Sequence, residues 1–474
     1  MDIAIINTWL MTFEGKGLGI IPNGSLGIEK EKITFVGRTD DLKYKKAEQL
    51  IDGTNKITMP GLINAHTHTG LTLFRGAAQD LPEIEWMNQG IGPFIKHLNP
   101  EDVILGSKLG VMEALKSGTT TLAEYTSSVS TLIDEVYLPY KVRVVGIETI
   151  NEVISDRTKM KPTELYEFDQ SKGDTALKRA KNTFREFKGN ELVSHMYGPQ
   201  AMDMVSLDTL LHIKQQAVDI GYKIHMHVAQ GERERLQIKQ RFGNFSTVKV
   251  LERNDLLDTS LIAAHIHDTA PEERSILVEH GVSMVGCPTS ISMIDGIIPP
   301  LGHYVQLGGK AAIGTDQAPG TGHHNLFREM RTASILTKVL NKDPTALPPW
   351  QSLKLATRGG AEVLGLESKI GSLSVGKQAD VITIDLLQCN LTPVVTKPFR
   401  NFVPNLIYST NGNEVDNVII NGQLIMKDSQ FLNIDEDSII SEANKRAPEI
   451  YESATEEWMK ANSKMVDYYQ NGYL

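Results

Sequence analysis

Short apolar strands alternate with capped helices over roughly 300 residues in the middle of this chain, and that alternation constrains the fold most. Tyr222–Val228, Leu261–His265 and Lys310–Asp316 read as strands. Between such strands lie helices with legible ends. One starts at Asn99-Pro100-Glu101-Asp102, with Asn as N-cap and Pro in the first turn, and stops at Ser117-Gly118; another runs from Asp268 towards Gly281. Repeated strand–helix units imply a parallel sheet, and eight of them close into a (β/α)8 barrel of the TIM type. A doubly wound open sheet is the alternative, but no Gly-x-Gly-x-x-Gly turn from strand to helix supports it.

Both ends of the chain read differently. Ile3–Ile6, Gly24–Ile28 and Ile33–Gly37 are β-rich and split by charged turns; Ala379–Asp385 and Val415–Gly422 behave alike. The two ends are expected to form one small β-sandwich domain, in parts 1–57 and 367–435, around a barrel over 58–366. A charged helical segment over 436–474 would pack on the barrel or serve an oligomer contact.

With 474 residues the chain can bury a large core, and 41% hydrophobic and 22% charged residues are values of a soluble globular protein. A net charge of −10 argues against a nucleic-acid surface, and the basic runs Lys43–Lys46 and Lys178–Lys181 read as solvated faces. Only two cysteines occur, Cys287 and Cys389, so a reducing compartment is expected. Met1–Asn7 lacks a basic leader, and no apolar stretch approaches the roughly 18 residues that span a bilayer. The expectation is a cytoplasmic protein that binds neither nucleic acid nor membrane.

His66 and His68 close the apolar run Leu62-Ile63. Side chains two apart on a strand share a face, so the imidazoles converge as half of a metal site; alone, the pair also reads as two histidines in a polar loop. Later strands end in His227, His265 and Asp316. Barrel enzymes carry their chemistry at these C-terminal strand ends, and such recurrence is hard to explain by chance.

Several motifs then come together. They are Pro60–His68, Leu73–Gly76, Asp80-Leu81-Pro82 with Trp86, Ser117–Thr121, His227–Gln230, Ala264-His265, Gly286–Ser290, Gly314–Asp316 and Ile370–Asp380. Taken jointly they resemble the amidohydrolase superfamily, in the branch of triazine hydrolases (atrazine chlorohydrolase, melamine deaminase) and of methylthioadenosine/S-adenosylhomocysteine deaminases. The resemblance implies that His66, His68, His227 and Asp316 bind one divalent ion, most often zinc and otherwise iron. Such an ion lowers the pKa of a coordinated water to about 7. Asp316 would take the water's proton and His265 would orient the water and stabilise the oxyanion. No Lys stands at a matching strand end, so a carboxylated-Lys bridge between two metals is not expected. The implied activity is hydrolysis at an electron-poor carbon of a nitrogen heterocycle, releasing ammonia, an amine or a comparable leaving group. The implied partners are a small heterocyclic substrate and further copies of the chain, as a homo-oligomer.

Three departures qualify the resemblance. Gln230 stands where most of these proteins have a Glu that shuttles a proton, and an amide cannot donate and accept protons in turn. Another acid, Glu232 or Glu234, would substitute, or the leaving group would need little protonation, or the chain would be a metal-binding pseudoenzyme. Ile95 replaces the Glu that grips ribose hydroxyls in the nucleoside deaminases, which favours a smaller heterocycle. After Asp316 runs an unusual Gly-rich loop, Gln317–Asn325, in which His323 and His324 are candidate substrate contacts or plain loop residues. Trp86 is expected as an aromatic wall and His195 as a substrate-binding residue at a strand end, while His225 would sit one layer deeper and His267 near the mouth. Hydrolysis of a cyclic amide or imide is the competing activity.

Overall fold

The computed structural model describes residues 1–42, 47–157, 160–161 and 164–474. The basic run Lys43–Lys46 lies outside the described residues.

The chain begins with five strands: β1 (Ile3–Met11), β2 (Ile20–Glu29), β3 (Lys32–Arg38), β4 (Gln49–Asp52) and β5 (Lys56–Pro60). β5 passes into the barrel through Gly61 alone. A Cβ there would lie 2.1 Å from the hydroxyl oxygen of Thr120, so only a glycine lets the chain pass this close to the neighbouring strand.

Eight strands follow, β6 (Leu62–Thr67), β7 (Thr119–Thr126), β8 (Arg143–Ile150), β9 (Val193–Pro199), β10 (Ile224–Val228), β11 (Leu261–His265), β12 (Ser283–Gly286) and β13 (Ala311–Ile313). Each pairs in parallel with the next, and a parallel bridge between Thr67 and Asp316 joins the last strand to the first. The closing hydrogen bonds run from Asp316 N–H to His66 O (3.0 Å) and from His68 N–H to Asp316 O (3.2 Å). This closure excludes the doubly wound alternative. Small and branched side chains such as Ile63, Ala65, Ala123, Val145, Ile147, Ile262, Val285 and Ala312 fill the barrel interior.

Four strands complete the terminal sheet: β14 (Val381–Asp385), β15 (Val415–Ile420), β16 (Gln423–Lys427) and β17 (Gln430–Phe431). β14 lies antiparallel to β5, and the two ends of the chain thereby build one continuous mixed sheet in the order β17-β16-β15-β14-β5-β1-β2-β3, with β4 beside β1. A buried two-armed ion pair joins this sheet to the barrel, from Arg143 at the start of β8 to Asp380 just before β14.

The helix Pro100–Lys116 carries the expected cap. The Asn99 side chain accepts from Asp102 N–H, and the Asp102 carboxylate accepts from Asn99 N–H. The C-terminal segment forms helices Glu436–Ala461 and Lys464–Gln470. They pack on the barrel: Arg446 grips Asp102, Tyr451 lies 4.8 Å from Phe94 between ring centres, and Met465 and Trp458 join Trp86 in a small apolar cluster. The tail thus braces the segment Glu83–Ile95 at the barrel mouth. No described helix is long and apolar enough to cross a membrane.

Candidate metal centre and active site

His66, His227, His265 and Asp316 all stand at the C-terminal rim because each belongs to the last residues of a barrel strand or to the loop just after it. Backbone strain gathers at the same rim. Ala229 (φ 49°), His265 (φ 76°), Ile266 (φ 44°) and Asp316 (φ 61°) are non-glycine residues in the left-handed region. Such conformations are disfavoured and cluster where the fold must aim a side chain.

The side chains meet. One ligand atom each from His66, His68 and His227 lie within 4.8 Å of one another, as do those of His66, His265 and Asp316. Asp316 Oδ1 is 3.4 Å from His68 Nε2 and 3.8 Å from His66 Nε2. Carbonyl groups fix the tautomers, since a carbonyl only accepts. His68 Nδ1–H donates to Tyr125 O (2.6 Å) and His227 Nδ1–H to Gln200 O (2.7 Å), leaving each Nε2 bare and aimed at the centre. His66 Nδ1 lies 3.0 Å from His225 Nε2, which places His225 one layer deeper, as expected. Burial holds these imidazoles in the neutral form that binds a metal: it lowers His68 to about 4 and His225 to about 3, and lowers His66, His227 and His265 too. Burial pushes the Asp316 carboxyl up to about 7, against the hydrogen bond from Ser290 Oγ–H at 2.6 Å.

His66 Nε2 is buried without a hydrogen-bond partner, and so are both ring nitrogens of His265. Buried polar atoms are normally paired. Three bare imidazole nitrogens converging with one carboxylate fit a divalent first-row cation.

The cluster lies at the bottom of a cavity of about 360 Å³. His68, His227 and Asp316 form its floor; Trp86, Ile91, Ile95, Gln200, Gln230, Arg233 and Asp295 stand on its walls. Trp86 takes the expected wall position, and its Nε1–H points to Pro319 O at 3.4 Å. Gln230 also faces the cavity, with its N–H on Glu234 (2.8 Å). Glu234 is fully buried and also accepts from Thr247 Oγ–H, so it shapes the turn and does not reach the cavity. Ile95 is 41% exposed on the cavity wall.

Two expected substrate contacts lie elsewhere. His195 points outward from β9 into the layer between barrel and helix, 5.1 Å from the Phe184 ring, because odd positions of this strand face the helices. The cavity receives Gln200 instead, from just past the strand end. His323 is turned back into its own loop, accepting from Asn325 N–H (3.2 Å) and lying 3.5 Å from Glu329. His324 likewise serves the fold, among the hydroxyls of Thr67, Thr72 and Thr315. His267 sits behind the wall at 3.5 Å from Asp295. The sequence reading missed Gln200, Glu83, Arg233 and Asp295. Gly198-Pro199 marks the true end of β9 and could have pointed to Gln200; the other three are brought to the cavity by loops and helix starts that carry no periodic signal.

Comparison with known proteins agrees with this geometry. The model of the amidohydrolase family matches residues 57–425. The chain is 32% identical to the 5'-deoxyadenosine deaminase of Methanococcoides burtonii over 454 residues, 95% of this chain and 98% of that one. It is 31% identical to the 5-methylthioadenosine/S-adenosylhomocysteine deaminase of Moorella thermoacetica, over 90% of this chain and 95% of the other. Among solved structures, an adenosine deaminase from Xanthomonas campestris with bound zinc superposes with a TM-score of 0.86 at 27% identity, covering 95% of this chain and 98% of that one. Atrazine chlorohydrolase from Arthrobacter aurescens TC1, complexed with zinc, shares the fold with a TM-score of 0.83 at 19% identity, over 94% and 100% of the two chains. The chain belongs to the amidohydrolase family.

Proposed function

We propose that this protein removes an amino group, or a comparable leaving group, from a nitrogen heterocycle by hydrolysis, with one divalent ion, zinc by preference over iron, held by His66, His68, His227 and Asp316. The observation that carries the reading is the convergence of bare, buried imidazole nitrogens on one carboxylate at the floor of a cavity walled by Trp86. Bound there, the ion would supply an acidified water. Asp316 would accept the proton of that water and return it to the departing group. His265, unpartnered and next to His227 and His66, donates to the oxygen as it adds to the ring carbon. Trp86 stacks on the ring.

The deaminases among the relatives act on adenosine derivatives. Here the wall offers Ile95, so a free heterocycle fits the reading better than a nucleoside. Two unpaired cysteines support a cytoplasmic location, and a homo-oligomer is the expected assembly. The test is elemental analysis of protein purified without chelator, followed by an ammonia-release screen over triazines, pyrimidines, purines, pterins and nucleosides. One zinc per chain with ammonia from a free heterocycle is the expected result; absence of any first-row metal would overturn it. Gln230 supports a second reading, a metal-binding protein without turnover, which the same screen would reveal as zinc without product.

A further inference from the structure

The surroundings of Gln230 explain what its amide does. Arg233, three residues further on in the first turn of the helix Glu232–Phe242 and buried, directs its guanidinium three ways: Nε–H to Glu83 (2.7 Å), Nη1–H to Asp203, and Nη2–H to Gln230 Oε1 (3.4 Å). Two carboxylates on one guanidinium hold it ionised and fixed, and burial removes the water that would loosen it. Arginine only donates, so the amide oxygen must be the atom that faces it. The backbone N–H of Gln230 is tied to Glu234. Nε2 is then the end left for the cavity, and it has no partner among the described residues.

We propose that Arg233 is a positioning residue that locks Gln230 as a fixed hydrogen-bond donor towards the substrate, so that this position selects rings presenting an unprotonated acceptor nitrogen or oxygen there and gives them no proton. This deepens the hydrolase reading and rests on it. As the water's oxygen bonds to the ring carbon, the electrons of the adjacent C=N bond move onto the ring nitrogen. That nitrogen accepts from Gln230 Nε2–H. The nitrogen's electron pair then re-forms the C=N bond as the bond to the leaving group breaks with its own pair, and that group takes the proton Asp316 received from the water. Substrates that need a second proton delivered from the side of residue 230 are excluded. A carboxyl at position 230 would not restore such an acid. It would meet Arg233, and an opposite charge this close lowers a carboxyl pKa by about 1–3 units.

The test is difference infrared spectroscopy on the full-length, zinc-loaded protein, which follows the carboxyl introduced by Gln230→Glu and needs no substrate. With Arg233 present, the introduced group should stay ionised from about pH 8 down to about pH 5, with no protonated-carboxyl band beyond those of the unsubstituted protein, to which buried groups such as Glu124 contribute. In Q230E combined with E83Q and R233Q, which removes the cation with one of its two carboxylates and leaves the net charge of the cluster unchanged, the band should grow as pH falls. Q230E combined with R233K should stay ionised like Q230E, since a cation is retained. A protonated band in Q230E that the unsubstituted protein lacks would overturn the proposal, as would identical titration in all three variants. An Arg233 that does not face residue 230 would not move this titration. Zinc content measured on the same samples keeps failure of the metal reading separate, because loss of zinc from the unsubstituted protein would refute that reading alone.

Discussion

Gly314 lies flat against the backbone of His66. A Cβ on Gly314 would fall 2.7 Å from the carbonyl oxygen of His66 and 2.8 Å from its amide nitrogen. The strand that delivers Asp316 and the strand that delivers two imidazoles therefore meet without any side chain between them. Gly314→Ala must push them apart. The expected outcome is a destabilisation of about 1–3 kcal/mol from overpacking and a weaker hold on zinc. Urea unfolding and a zinc-chelator competition check both, and unchanged zinc affinity would show that the closure does not set the metal geometry.

His66→Ala and Asp316→Asn remove ligands, whereas His265→Asn removes a proposed donor. The first two should lose both zinc and turnover. The last should keep its zinc and lose about 10²–10³ in kcat, the usual cost of one oxyanion donor. Elemental analysis beside kcat separates the roles; zinc loss in His265→Asn would make His265 a ligand, which its distance to the ligand atoms of His66 and Asp316 permits.

Arg143 and Asp380 tie the barrel to the terminal sheet. Asp380 accepts from Arg143 at 2.6 and 3.0 Å and from Asn421 N–H at 2.8 Å. Asp380→Ala strands a buried guanidinium and should cost about 3–5 kcal/mol, measured by chemical denaturation. Zinc stoichiometry of the remaining folded protein should not change, because the pair sits at the barrel floor, far from the rim.

Glu124 links stability to pH. Burial raises its carboxyl to about 7, against hydrogen bonds from Thr69 and Tyr137. Between its ordinary value of 4.5 and about 7 the folded chain keeps the proton and the unfolded chain does not. The contribution is therefore full below the lower value and is lost as pH rises through the window. Glu124→Gln stays uncharged, so its stability relative to the unsubstituted protein should improve between about pH 4.5 and about pH 7 and then level off. Denaturation curves of both at saturating zinc check the sign; a difference independent of pH would show that Glu124 does not titrate there.

Much of the site is legible in the sequence because its residues sit at periodic places. Strand alternation puts His66 and His68 on one face, and the strand–helix repeat puts His227, His265 and Asp316 at corresponding ends. Helix caps such as Asn99 are legible for a local reason, since side chain and backbone meet within four residues. His195 shows where this fails. Its proximity to a strand end suggested the cavity, but parity on β9 sends it outward, and parity depends on a register that only pairing with β8 and β10 settles.

The sequence by itself determined the barrel, the candidate ligands at its strand ends and the amide at position 230, because strand ends are written in spacing and the amide in residue identity. Only the tertiary structure decided what surrounds that amide. Glu83, Asp203 and Arg233 come from three separate segments and meet on one guanidinium. The C-terminal helices that brace the segment carrying Trp86 are likewise some 360 residues away from it along the chain. Contacts between distant segments depend on how elements pack, and packing leaves no period in the chain for a reader to find.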